Sequence, residues 1–152
     1  MFLLYFTFDL IITLEKNMEL NKLYSIADKE NISIINHRMK NKAIISKVNT
    51  DYYIGINYSN IDNSREEKEI LAEELGHYYC NALYNTHSDI ETIRKKEYRA
   101  RKWAFKTLIP PSSLSKLEEE GCKYSYEVAN ELGVSEDLVN TAYTYYKANN
   151  YI

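Results

Sequence analysis

ILAEELGHYYCNALY, residues 70–84, decides how the chain is read. Just upstream, SREE predicts a helix start, with Ser64 as the cap and Glu67 reaching back to it. From there Leu71, Leu75, Tyr78 and Ala82 recur at helical spacing and form one stripe. Ile70, Cys80 and Tyr84 lie toward the other side. A helix that is apolar on both sides is buried. Glu73 and His77, one turn apart on one face, are therefore expected inside the protein or in a cleft.

A second capping box, SDIE at residues 88–91, opens the next helix, which should stop near Leu108 because Pro110-Pro111 follows. One of its stripes reads Ile93, Glu97, Ala100, Ala104, Leu108. Its basic residues, Arg94, Lys95, Lys96, Arg99, Arg101, Lys102 and Lys106, fall largely elsewhere. They read as a solvated face or as a dock for an acidic partner. Glu97 is out of place as a carboxylate on a small, apolar stripe. Two alanines four apart allow another helix to approach closely.

Around this pair the chain is simply organised. Residues 18–30 read as a helix, with Leu20, Leu23, Tyr24 and Ala27 on one stripe. Three short β-rich runs follow, ISIINHRM, AIISKVNT and YYIGINYS, and a small antiparallel sheet is the simplest arrangement for them. SSLSKLEEEG is a short helix ended by Gly121. The remainder reads as two or more helices with a turn at Leu132-Gly133-Val134.

The 152 residues suit one domain, and 45% apolar content with 15 tyrosines can build a real core. A net charge of −3 gives no global attraction to nucleic acid or anionic membrane. Cys80 and Cys122 make no disulfide framework and read as reduced thiols of a cytoplasmic protein. The first 17 residues, beginning MFLLYFTFDLIITL, are an apolar extension or an over-extended start. That run is shorter than the ~20 residues a spanning helix needs, and it lacks the marks of a signal peptide. If it belongs to the working protein, it should pack on the sheet.

Glu-Glu-Leu-Gly-His is one residue from His-Glu-x-x-His, in which two imidazoles one turn apart reach the same zinc ion and the intervening glutamate polarises a water. Here Glu73 and His77 keep the ligand spacing and Glu74 keeps the base position. Glutamate is a legitimate zinc ligand. With a further carboxylate, the set would hold one imidazole and two carboxylates. It would then relax the preference for zinc over another divalent ion such as manganese or iron. Glu97 is the candidate third ligand. An isolated E-E-x-x-H on a charged helix is also a common solvated face. His37 and His87 read as structural histidines of a strand and a loop, unless either approaches the ion.

Together, ILAEELGHYY and EYRARKWAFKTLIP resemble the two motif helices of the ImmA/IrrE family of metallopeptidases, over roughly Met18 to Tyr146. In the second block the matching residues are Glu97, Ala100, Trp103-Ala104, Leu108 and Pro110. The resemblance implies an α+β fold with a small antiparallel sheet, a helical zincin-like core over residues 18–111, and a helix-turn-helix-like unit over 112–152 packed on it. It also implies a cytosolic zinc metallo-endopeptidase, of phage or mobile-element type, that cleaves or inactivates a transcriptional repressor. By position His77 would be the second ligand, Glu97 the third and Glu74 the general base, with Glu73 in the first-ligand place.

Two rivals stand beside this. Glu73 in place of histidine supports a pseudo-peptidase that binds a repressor without cutting it. VANELGVSEDLV has helix-turn-helix spacing, with Ala129, Gly133 and Val139 at the small, turn and core positions, which admits a DNA-binding regulator. Against the latter, its second helix opens with Ser135, Glu136 and Asp137, which would repel phosphates. No direct nucleic-acid contact and no membrane partner are expected.

Overall fold

The computed structural model describes residues 19–85 and 87–152. Helix α1 covers residues 19–29. The chain turns through Asn31, at φ 56°, into strand β1 (Ile32–Asn36). Strands β2 (Ala43–Val48) and β3 (Asp51–Ile56) follow, then one 3-10 turn at Tyr58–Asn60. Five further helices complete an α+β fold: α2 (Ser64–Tyr79), α3 (Ile90–Leu108), α4 (Pro111–Glu119), α5 (Ser125–Leu132) and α6 (Glu136–Ala148).

The sheet is mixed, which departs from the antiparallel expectation at one strand. β2 and β3 do form an antiparallel hairpin with Ile45 opposite Ile54, turning through Asn49 at φ 56°. β1 runs parallel to β3, with Ile34 opposite Ile54, and the strand order is β1-β3-β2. The cause is the connection at residues 37–42, too long for a tight hairpin, which carries the chain past β3 to the far edge. Gly55 marks the crossing: a Cβ there would lie 3.3 Å from Met39 Cε and 3.7 Å from His37 Cβ. Asn57 fastens the connection by donating its side-chain amide to the Met39 carbonyl at 2.7 Å. β3, with Ile54 and Ile56 fully buried, becomes the central strand and β2 an edge.

Both motif helices start one residue from where the sequence pattern puts them. Asn63, not Ser64, caps α2 by accepting the Glu66 N–H at 3.0 Å, and Asp89, not Ser88, caps α3 by accepting the Thr92 N–H at 2.9 Å. Asparagine and aspartate cap as well as serine. In α2 the shift lets the Glu66 carboxylate take the Asp62 N–H at 2.9 Å, while Glu67 is engaged by Tyr24.

One hydrophobic core runs through α1, the sheet and every later helix. Tyr146 of α6 is fully buried in it, and its hydroxyl donates to the Ile109 carbonyl at 2.8 Å. The turn expected at residues 132–134 is present, with Gly133 left-handed at φ 60°. Among the described residues no helix is long and apolar enough to cross a membrane. The expected packing of the first 17 residues on the sheet lies outside the described residues.

Candidate metal centre

α2 ends sooner than its apolar pattern implies, and this ending builds the site. Cys80 is the C-cap and Asn81 is left-handed at φ 47°. The Asn81 N–H reaches the Tyr78 carbonyl at 3.1 Å and the Ala82 N–H the His77 carbonyl at 2.8 Å, a Schellman ending. The chain thereby folds back until the Ala82 carbonyl lies 3.1 Å from His77 Nδ1. An imidazole that donates from Nδ1 to a carbonyl leaves Nε2 free as an acceptor. This is how metal-binding histidines are oriented.

Nε2 of His77 faces Glu97 Oε1 at 3.5 Å. Two donors on one tetrahedral zinc, each at about 2.1 Å, stand about 3.4 Å apart. His77 and Glu97 therefore fit as neighbouring ligands of one ion. The helices are brought to this distance at Gly76, where a Cβ would lie 2.4 Å from the Ala100 carbonyl oxygen. Ala100 and Ala104 are buried there, as their stripe implied. Glu97 itself is not buried with them. It lies opposite His77 with its side chain 47% exposed.

Two more groups frame the pair. Tyr84 meets the His77 ring edge-on, with centroids 5.9 Å apart, and its phenol lies near the Glu97 carboxylate. The Glu97 carboxylate, followed by burial, pushes the phenol up to about 12. Glu74 is raised to about 7, chiefly by burial. The backbone amide of Ile45, on edge strand β2, pulls it the other way, and the charges of Glu73 and Glu97 push it further up. A carboxyl group poised near neutrality is suited to take and return a proton.

Glu73 shares the face one turn before His77, and its carboxylate is paired with a cation. Its Oε1 lies 3.3 Å from Arg101 Nη1, and the other terminal nitrogen of Arg101 pairs with Asp137 of α6. Burial raises the Glu73 carboxyl, and Arg101 opposes that rise. Among the described residues, no three His, Cys, Asp or Glu side chains gather closely enough to hold an ion. Two of the three arms fit a metal as they stand, and the third is held by a guanidinium. His37 and His87 stand apart: both are exposed, with backbone N–H groups bonded to the Ile56 carbonyl and to Asn85 Oδ1.

Arg94, Lys95 and Arg99 of α3 are exposed, as a solvated face requires, while the other basic residues of the helix are partly covered. Lys96 donates to the Leu83 carbonyl, which pins the loop after α2, and Lys102 and Lys106 lie over the Tyr145 ring. Arg101 was hidden in this group. The signal for it was spacing: Arg101 follows Glu97 by one turn, as His77 follows Glu73. Antiparallel helices then match His77 to Glu97 and Glu73 to Arg101. Asn81 as a helix stop and Gly76 as a crossing point were also readable. Tyr84 was not separable from the other tyrosines.

Residues 27–143 match the family model of the M78 peptidases, described as the IrrE N-terminal-like domain. No curated protein and no solved structure matches the chain. The match runs from α1 into α6 and takes in both motif helices together with the sheet. The chain belongs to the M78 peptidases, the ImmA/IrrE family.

Proposed function

We propose that this protein is a metallo-endopeptidase that cleaves a partner protein, a transcriptional repressor in a phage or mobile-element setting, in the cytoplasm. The facing of His77 Nε2 and Glu97 Oε1 at 3.5 Å, with Nδ1 tied to Ala82, carries this proposal. M78 peptidases are generally zinc-dependent. In this chain His77 and Glu97 would hold zinc, or another divalent ion such as manganese or iron, with Glu73 completing the set. The ion would supply Lewis acidity toward a peptide carbonyl and a water molecule.

The chain's own residues supply the rest. Glu74, ionised in an appreciable fraction near neutral pH, accepts the proton of the attacking water and returns it to the leaving amine. The Ile45 amide beside it belongs to an edge strand. An extended peptide adding to β2 by main-chain pairing would pass directly by Glu74. Free Cys80 and Cys122 suit a reducing compartment.

The test is to incubate zinc-loaded protein with purified repressors from the same genome and follow cleavage by mass spectrometry. Wild type should cut one of them, and Glu74→Gln should leave it intact while keeping its fold. Cleavage by Glu74→Gln at the wild-type rate would overturn the assignment.

The Glu73–Arg101 pair favours a second reading, a pseudo-peptidase that grips the repressor without cutting it. Wild type would then bind the repressor with or without zinc and leave it whole. Direct DNA recognition finds less support. The start of α6 is occupied within the protein, Ser135 by Glu69, Glu136 by Ser125 and Asp137 by Arg101.

A further inference from the structure

We propose that Arg101 is a resident counter-cation that competes with the divalent ion for Glu73, so that the Glu73–Arg101–Asp137 chain sets this protein's metal affinity. This rests on the reading of His77 and Glu97 as metal ligands. Three observations carry it. Glu73 lies one turn before His77 on the same face, the place from which a ligand reaches the ion that His77 binds. Its carboxylate is 3.3 Å from Arg101 Nη1 instead. Arg101 in turn is shared with Asp137, which belongs to α6 and not to the motif helices.

The consequence is a competition with a definite sign. A carboxylate oxygen paired with a guanidinium is not available to an ion, and a fixed positive charge beside the site repels a second one. Asp137 draws Arg101 toward α6 and weakens its hold on Glu73. Neutralising Arg101 should therefore tighten metal binding, and neutralising Asp137 should weaken it. The C-terminal helix thus reaches the site through one side chain, and a partner that displaced α6 would change metal affinity without touching a ligand.

The experiment measures zinc affinity of the full chain by competition with a chromophoric chelator. The variants are Arg101→Gln, Arg101→Lys, Asp137→Asn, Glu73→Gln and the double Glu73→Gln/Arg101→Gln, with His77→Ala as the reference for loss of the site. Arg101→Gln should bind zinc on the order of tenfold more tightly. Arg101→Lys should stay close to wild type, and Asp137→Asn should bind more weakly. The double variant should lose most of the gain, keeping only the smaller part that comes from removing a fixed positive charge, since without Glu73 there is no carboxylate to release. Thermal unfolding gives a second readout. Arg101→Gln should melt below wild type without zinc and above it with zinc, whereas a purely structural arginine would lower both. Equal affinity of wild type and Arg101→Gln, or the same gain in the Glu73→Gln background, would overturn the competition while leaving the metal site standing. Zinc binding by no variant, or undiminished in His77→Ala, would remove the metal site and the competition together.

Discussion

Glu74 connects buried electrostatics to a measurable pH response. Its carboxyl is raised from 4.5 to about 7, mainly by burial. In the metal-free protein the folded state therefore keeps a proton that the unfolded chain loses. The stabilisation is fully present below about pH 4.5 and is lost as pH rises through about 7. Thermal unfolding of metal-free wild type should show a falling Tm between about pH 5 and pH 8, and Glu74→Gln should flatten that slope. An unchanged slope in the variant would place the titration elsewhere. At this scale the sequence was readable where spacing carries the chemistry. Glu73, Glu74 and His77 stand where a helical motif puts them. Arg101 was legible only through its one-turn spacing from Glu97, because a guanidinium's choice of partner depends on which helix faces it.

Gly76 and Asn81 do at the level of the element what no ligand does alone. Gly76 lets α2 lie against the Ala100 carbonyl, and Asn81 ends the helix so that Ala82 can orient His77. Gly76→Ala must open the helix pair or strain it. It should cost about 1–3 kcal/mol or more by chemical denaturation and weaken zinc binding by moving Glu97. Asn81→Gly should preserve both stability and zinc affinity, because glycine adopts the left-handed conformation without penalty. Asn81→Val should lose both; if it kept wild-type zinc affinity, the orienting role of the Ala82 carbonyl would be refuted. Helix spans were legible from apolar periodicity. The end of α2 was legible only through Asn81, because Ala82 continues the stripe by side-chain type after the backbone has turned. The parallel pairing of β1 was hidden too, since short apolar strands look alike in either direction and only the 37–42 connection distinguishes them.

Across the whole molecule, Lys68, Glu69 and Glu73 of α2 fasten the C-terminal unit to the motif helix. Buried Lys68 donates to the Leu132 carbonyl at 2.7 Å and to Glu19 at 2.9 Å. Glu69 takes the backbone N–H of Ser135 and, at 2.9 Å, its hydroxyl. Glu73 reaches Asp137 through Arg101. The core is continuous across residue 111, with Leu114, Val128, Leu138 and Tyr146 packed into it. A chain ending at residue 111 should therefore fail to unfold cooperatively in a circular-dichroism melt, and a sharp transition would show the core closing without α4–α6. The helix-turn-helix spacing in the sequence was real as a local shape. Its use as a docking unit emerged from the α2 side chains that meet it, which lie more than sixty residues away in the chain. The most direct test of the metal centre is elemental analysis after zinc reconstitution and desalting, on wild type, His77→Ala, Glu97→Gln and Glu74→Gln. If His77 and Glu97 hold the ion, wild type and Glu74→Gln retain one zinc per chain and the other two lose it. Wild type emptied of zinc, or His77→Ala still loaded, would contradict it.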